Sequence, residues 1–297
     1  MENENNDNEK TMEGKIVMIT GANSGIGKEA ARVLGKMGAT IIMLCRNQER
    51  GEKALQELKQ QTHSNKFELI IGDLADPDSI YHAVELFKGN YERLDVLINN
   101  AGLILNKRKI SSLGYEMTFT INYLGHFLLT NLLIDTLKKS APSRIINVAS
   151  AVHKSANLNF NDINQDTNYK GYLAYANSKL ANILFTYELA RRLKETGVTV
   201  NTLHPGFVRT NFGKRGRNRL LGILFKFLRL FAISAKMGAK ASIYLASSPE
   251  VEAITGKYFA KSKPVKSSKA SYNLENQKRL WKLSEQAFHE EFLTLTH

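Results

Sequence analysis

The chain of 297 residues has a single cysteine, Cys45. One thiol forms no intramolecular disulfide and supplies no cysteine cluster for a metal. The count suits a reducing compartment, and no metal site is expected. Long apolar runs are missing too: none without charge reaches the roughly 18 residues a membrane-spanning helix needs. The N-terminal residues are rich in Asn and Glu and lack the apolar centre of a secretory leader. Residues 1–12 therefore read as a disordered polar tail. Acidic residues are absent from Phe207 to Lys240, while Arg209, Lys214, Arg215, Arg217, Arg219, Lys226, Arg229, Lys236 and Lys240 are basic. That stretch, with Lys257–Lys269, carries most of the net charge of +13. Such an excess points first to nucleic acid or to anionic membrane. No zinc finger, aromatic RNA-binding motif or helix-turn-helix signature accompanies it, so no nucleic-acid partner is expected.

What is present is an ordinary globular composition, 43% hydrophobic and 23% charged. α/β domains of roughly 200–250 residues often stay whole, so residues 13–297 are expected to form one domain. Short apolar runs alternate with helical patterns. Strands are expected at Lys15–Thr20, Thr40–Leu44, Phe67–Ile71, Leu94–Ile98, Arg144–Val148, Val198–Leu203 and near Gly256–Ala260. Helices are expected at Gly25–Met37, Gln48–Gln61, Pro77–Phe87, Leu113–Lys138, Tyr172–Glu195, Ala235–Ser247 and Leu274–Phe292. Strands that are apolar throughout are buried on both faces, which is the mark of a parallel sheet covered by helices. The expected fold is α/β, a Rossmann-type doubly wound parallel sheet of about seven strands.

The first strand runs into Thr20-Gly21-Ala22-Asn23-Ser24-Gly25-Ile26-Gly27, and a helix opens at its end. Glycines let a backbone turn sharply and approach a pyrophosphate. The helix N-terminus presents free N–H groups to the anion. Gly21, Asn23, Ser24, Gly25, Ile26 and Gly27 are the candidate contacts. The end of the second strand chooses the cofactor. NAD enzymes usually place a carboxylate there for the ribose 2′-hydroxyl. Here Cys45 occupies that place, followed by Arg46 and Asn47. A guanidinium binds a 2′-phosphate bidentately, so NADP(H) is the expected cofactor. Asp73 and Leu74, after the third strand, are candidate adenine contacts, although an Asp there equally caps a turn.

Tyr175 and Lys179 stand four apart on one helix face. A nearby ammonium favours a phenolate and lowers the tyrosine pKa, which suits proton exchange with a hydroxyl or carbonyl. Ser150 follows the fifth strand, where parallel sheets bind ligands. At this point the chain resembles the short-chain dehydrogenase/reductase family, over about Glu13 to Ala260. Thr20–Gly27 resembles the family's cofactor loop, and Asn99-Asn100-Ala101-Gly102 its motif after the fourth strand. Asn122, Ser150, Tyr175 and Lys179 match its catalytic tetrad in order. Pro205-Gly206 resembles its turn beside the nicotinamide, with Val208 and Thr210 following. The resemblance implies hydride transfer between a nicotinamide and a carbonyl or alcohol. Ser150 would orient the oxygen and Tyr175 act as general acid/base. Lys179 would hold the ribose and lower the tyrosine pKa, and Asn122 would hold a water that links Lys179 to solvent.

The local context is narrower. YANSKLANILFTYELARR over Tyr175–Arg192 and HPGFVRT over His204–Thr210 are similar to the retinol dehydrogenase branch, which includes the WW-domain oxidoreductase. That branch implies NADP(H) and a small lipophilic substrate, retinal or retinol or another apolar aldehyde or ketone. The segment at 207–234 reads as a lid. Within it, residues 215–232 pair an apolar body with a basic edge, so they also read as an interfacial helix meeting anionic lipid. The two readings are compatible. The expected location is cytoplasmic, with peripheral membrane contact through 215–232 as an open reading. The family resemblance leaves a homodimer open. Two other functions stay open on this scaffold: a non-catalytic dinucleotide-sensing interaction protein and a peripheral membrane-binding protein.

Overall fold

The computed structural model describes residues 11–206 and 234–289. The expected contacts Val208 and Thr210, most of the lid at 207–234 and the basic segment at 215–232 lie outside these. So do nearly all of the polar tail and residues beyond His289.

The first strand, β1 (Ile16–Thr20), leads to α1 (Gly25–Lys36), β2 (Thr40–Cys45), α2 (Gln48–Thr62), β3 (Phe67–Ile71) and α3 (Pro77–Asn90). Then β4 (Val96–Asn99) is followed by a short helix, α4 (Met117–Phe119). α4 runs through a π-helical stretch (Thr120–Leu124) into α5 (Gly125–Lys139). The second half is β5 (Ser143–Val148), α6 (Gly171–Arg192), β6 (Val198–His204), α7 (Ala235–Ser247), β7 (Tyr258–Ala260), β8 (Lys263–Val265) and α8 (Leu274–Phe288). The strands form one sheet in the order β3-β2-β1-β4-β5-β6-β7-β8. All neighbours are parallel except β7 and β8.

Alternate residues of each strand serve two cores. Met18, Ile42, Leu44, Leu97 and Ile145 face the layer that holds α3, α5 and α6. Val17, Ile19, Ile41, Met43, Val96 and Ile98 face the layer of α1, α2 and α7. Burial on both faces is why the strands read as unbroken apolar runs. The strand order reverses between β1 and β4, so the carboxyl ends of these two strands open the crevice where such sheets bind ligands.

Four expectations need correction. The sheet has eight strands, because Lys263–Val265 adds an antiparallel edge; its Lys-Pro-Val sequence shows no apolar alternation, and proline is tolerated only at such an edge. The helix expected from Leu113 starts at Met117, since Gly114 turns the chain at φ +77° and the Glu116 side chain caps the Phe119 N–H. The helix expected to reach Glu195 ends at Arg192, ahead of left-handed Glu195 and Gly197. The last helix ends at Phe288, where His289 adopts φ +53°.

On the outer side of α5 and α6 lies α8. Trp281 packs edge-on to Phe127 at 5.0 Å and stacks with Phe185, and the Ser284 and Tyr123 hydroxyls meet at 2.6 Å. On the inner side, α5 approaches the sheet closely at Gly125. A methyl group there would lie 2.2 Å from the Leu74 carbonyl oxygen. Backbone cannot yield as a flexible side chain does. Gly125→Ala is expected to destabilise the fold by about 2 kcal/mol, a typical overpacking cost, read from urea unfolding. An unchanged midpoint would contradict the close packing of α5 on the β3–α3 turn.

Candidate active site at the switch point

The glycine loop is built for close approach. Gly21 and Gly25 hold φ +68° and +59°, a region that disfavours side chains. A Cβ on Gly27 would lie 2.5 Å from Asn100 Nδ2 and 2.7 Å from the Gly21 carbonyl oxygen. A Cβ on Gly25, by contrast, would meet nothing within 4 Å. Ser24 precedes α1 in extended conformation but makes no side-chain cap, and the first turn has no acidic residue. The positive end of α1 is therefore open above a glycine. These features fit a dinucleotide pyrophosphate.

Around that loop the strand ends are tied by one hydroxyl. Thr20 Oγ1 accepts the N–H groups of Asn100 and Ala101, both at 2.9 Å. It also meets His126 Nε2 at 2.9 Å, and His126 Nδ1 meets the Asn122 carbonyl at 3.1 Å. A carbonyl only accepts, so Nδ1 carries the proton and Nε2 receives the Thr20 O–H. The ring is thus neutral. Complete burial agrees, pushing its pKa down to about 3. Asn100 Nδ2 donates to the Thr20 carbonyl at 2.8 Å. Asn122 lies in the π-helical stretch; its Oδ1 accepts from Leu103 N at 2.8 Å, and its Nδ2 donates to Leu103 O and Ser178 Oγ.

The candidate catalytic side chains converge beside this network. The Ser150 hydroxyl lies beside Tyr175 and favours its ionised form, but burial outweighs it and pushes the Tyr175 phenol up to about 12. Lys179 Nζ lies 5.7 Å from the Tyr175 ring centre and donates to the Val148 carbonyl at 2.8 Å. Burial lowers the Lys179 pKa to about 7. The tyrosine pKa is therefore raised, where the sequence led us to expect a lowered one. The ammonium meant to depress it is itself penalised by burial. Asn122 and Lys179 both crowd Gly102, where a Cβ would sit 3.3 Å from Asn122 Oδ1 and 3.5 Å from Lys179 Nζ.

The remaining expected contacts are placed as follows. Arg46, at the exposed end of β2, lies 3.9 Å through Nε from Asp73 Oδ2. Asn47 caps α2 through Arg50 N at 2.9 Å, and Asp73 caps a turn through Ala75 N at 3.0 Å. Leu74 is buried against α5. Buried Cys45 has its thiol pushed up to about 11 and is no nucleophile at neutral pH. Ala101 packs over Gly21, and Gly206 follows Pro205 at φ +88°. Sequence reasoning passed over His126, His153 and His204. His126 is four residues past Asn122 on one helix and His204 directly precedes Pro205-Gly206, but these positions name no partner for either ring.

The short-chain dehydrogenase family profile matches residues 15–220 of this chain. Human retinol dehydrogenase 14 is 45% identical over 289 residues, covering 92% of this chain and 86% of that protein. The chain is a short-chain dehydrogenase of the retinol dehydrogenase branch. Human retinol dehydrogenase 13 is 42% identical, covering 91% of this chain and 83% of that protein. An uncharacterised protein from Mycobacterium paratuberculosis, solved by crystallography, shares the dehydrogenase's fold with a TM-score of 0.77. It is 32% identical over 94% of this chain and 95% of that one. A short-chain dehydrogenase from Shigella flexneri, solved with NADP, has a TM-score of 0.67 at 22% identity, over 86% of this chain and 100% of that one. The dehydrogenase is thus an oxidoreductase that interconverts alcohol and carbonyl groups with a nicotinamide dinucleotide. Among its described residues no helix is long and apolar enough to cross a membrane.

The His126 ring makes a stability prediction for the dehydrogenase. An unfolded histidine takes up a proton near pH 6.5, whereas this folded one does so only near pH 3. Between those values the unfolded state binds more protons. Stability is thus expected to fall as pH drops from 6.5 towards 3, by at most ~1.4 kcal/mol per pH unit from this ring. It is unaffected above that window. His126→Gln removes this contribution, so its urea midpoint varies less with pH; equal slopes would show that the ring is not held neutral.

Proposed function

We propose that the chain is an NADP(H)-dependent oxidoreductase acting on the carbonyl or alcohol of a small lipophilic molecule. Retinal and retinol, or another apolar aldehyde or ketone, are the substrates that fit the names of its relatives. The observation that carries the reading is the convergence of Ser150, Tyr175 and Lys179 beside an uncapped helix N-terminus at the switch point. Gly21, Asn23, Ser24, Gly25, Ile26 and Gly27 would hold the pyrophosphate. Arg46 would meet the 2′-phosphate. Asn100, Ala101, Gly102, Pro205 and Gly206 would line the nicotinamide side. Asp73 and Leu74 would border the adenine.

NADPH, when bound there, would supply the hydride that reduces the carbonyl carbon. Ser150 Oγ donates to the carbonyl oxygen and fixes its direction. Tyr175 is protonated at neutral pH, since its pKa lies near 12, and gives its O–H proton to the developing alkoxide. Lys179, its pKa lowered by burial to about 7, would bind the ribose and carry a proton that replenishes the phenol. Asn122 holds the turn after Gly102 in place beside Lys179. Oxidation of an alcohol follows the same path in reverse. The intact tetrad argues against a purely sensing role, because a sensor needs neither Tyr175 nor Lys179.

NADPH oxidation against all-trans-retinal, medium-chain aldehydes and a steroid ketone, with NADH in parallel, tests this reading. Turnover of the long apolar aldehydes with NADPH is expected. Oxidation of none of them, with NADPH binding shown by fluorescence, would overturn the enzymatic reading. Arg46→Ala is expected to weaken NADPH binding about tenfold or more, one charge-assisted pair being worth roughly 1.5–3 kcal/mol, and to leave NADH nearly unchanged. Equal loss for both cofactors would contradict the 2′-phosphate assignment.

A further inference from the structure

The peptide unit that follows Ser150 is held on both sides by imidazoles. Ser150 is extended, at φ −159° and ψ 155°, and leads into the 3-10 turn Ala151–Ser155. Its carbonyl oxygen lies 2.7 Å from His153 Nδ1. The N–H of the same peptide unit, on Ala151, donates to His204 Nδ1 at 3.2 Å. The two contacts fix the tautomers. His153 Nδ1 must carry a proton, because a carbonyl only accepts, while its Nε2 accepts the Ser268 N–H at 3.0 Å. His204 Nδ1 must carry a lone pair, because an N–H faces it. Both rings are therefore neutral. His153 is almost fully buried and meets the Tyr258 ring edge-on at 5.1 Å.

We propose that His153 and His204 are positioning residues that clamp the Ser150–Ala151 peptide plane and so aim the Ser150 hydroxyl at Tyr175. The clamp rests on the reading of Ser150 given above. It also joins three strand ends: His204 closes β6, Ser150 follows β5, and Tyr258, packed on His153, opens β7. Neither ring touches the reacting atoms; each acts through the backbone of Ser150. The His204 half works only without a proton on Nδ1, since an imidazolium there would face the Ala151 N–H donor to donor. Burial holds both rings neutral, and among the described residues the charged or titratable groups acting on them are Lys154, each other and the Tyr258 phenol. Lys154 disfavours a proton on either ring.

Two measurements on the full chain decide this. Long-range proton–nitrogen NMR of the imidazoles, assigned with His204→Asn and His153→Asn, reports the tautomers and needs no turnover. The expected result at neutral pH is a proton on Nε2 of His204 and on Nδ1 of His153. A charged His204, or one protonated on Nδ1, would overturn the clamp. The second measurement is kcat for all-trans-retinal with NADPH. His204→Phe is expected to lose about tenfold or more in kcat, as misaligned reacting groups do, with NADPH affinity kept within about twofold. His204→Asn places an oxygen acceptor near the Nδ1 position and does not titrate. It is expected to restore most of kcat, and to keep it at acid pH below the ordinary histidine range, where the wild type declines. Full kcat in His204→Phe, or equal acid decline in the wild type and His204→Asn, would sink the proposal. Ser150→Ala separates the two levels. If it is inactive while His204→Phe is not impaired, only the clamp fails; if it retains full turnover, the reading of Ser150 itself fails.

Discussion

The Thr20 hydroxyl is where the two halves of the sheet are tied together at the crevice. It accepts two backbone N–H groups from the turn after β4 and donates to one imidazole on α5. No apolar side chain of similar shape could do this, because the partly buried amides of Asn100 and Ala101 would lose their acceptor. The hydroxyl has no spare valence: both lone pairs and its proton are committed. His126 hands the same constraint on to the Asn122 carbonyl, and Asn122 passes it to Leu103. The glycine loop, the turn after β4 and the helix beside Lys179 therefore hold one another in register.

Burial then sets the chemistry of the site. The same desolvation that raises the Tyr175 pKa lowers that of Lys179. Both groups are moved towards their neutral forms, which is the physical cost of placing two ionisable side chains in a closed space. A phenol kept protonated is a competent acid for carbonyl reduction. An amine that titrates near neutrality is a competent proton carrier. The histidines around them are neutral for a related reason. Each of His126 and His153 has one ring nitrogen bound to an acceptor and the other to a donor, an arrangement that only a neutral imidazole satisfies.

Much of this was legible in the sequence, and the pattern of success has a physical cause. Buried parallel strands must be apolar on both faces, so KIVMIT, TIIML and RIINV announced themselves. The glycine spacing and the order of Asn122, Ser150, Tyr175 and Lys179 are local signatures, and they marked the side chains that the structure brings together around the crevice. The edge strand Lys263–Val265 escaped because an edge needs no apolar pattern. The start of the helix before Asn122 was misplaced because Gly114 sits inside an otherwise helical periodicity. The direction of the Tyr175 shift was misread because Tyr–Lys spacing reports proximity and not burial. The three histidines escaped for a deeper reason. Their roles are set by partners up to 115 residues away, as between His153 and Ser268, and no local pattern encodes such a contact.

The proposed proton donor for carbonyl reduction with NADPH is Tyr175. The most direct test of this role is a stopped-flow single turnover. The NADPH-loaded protein is mixed with all-trans-retinal, and loss of the dihydronicotinamide absorbance is followed in the wild type and in Tyr175→Phe. The phenylalanine variant is expected to bind NADPH with nearly the affinity of the wild type but to oxidise it at least about a hundredfold more slowly, the scale of general-acid catalysis. Oxidation of NADPH at the wild-type rate in that variant would show that the proton comes from elsewhere.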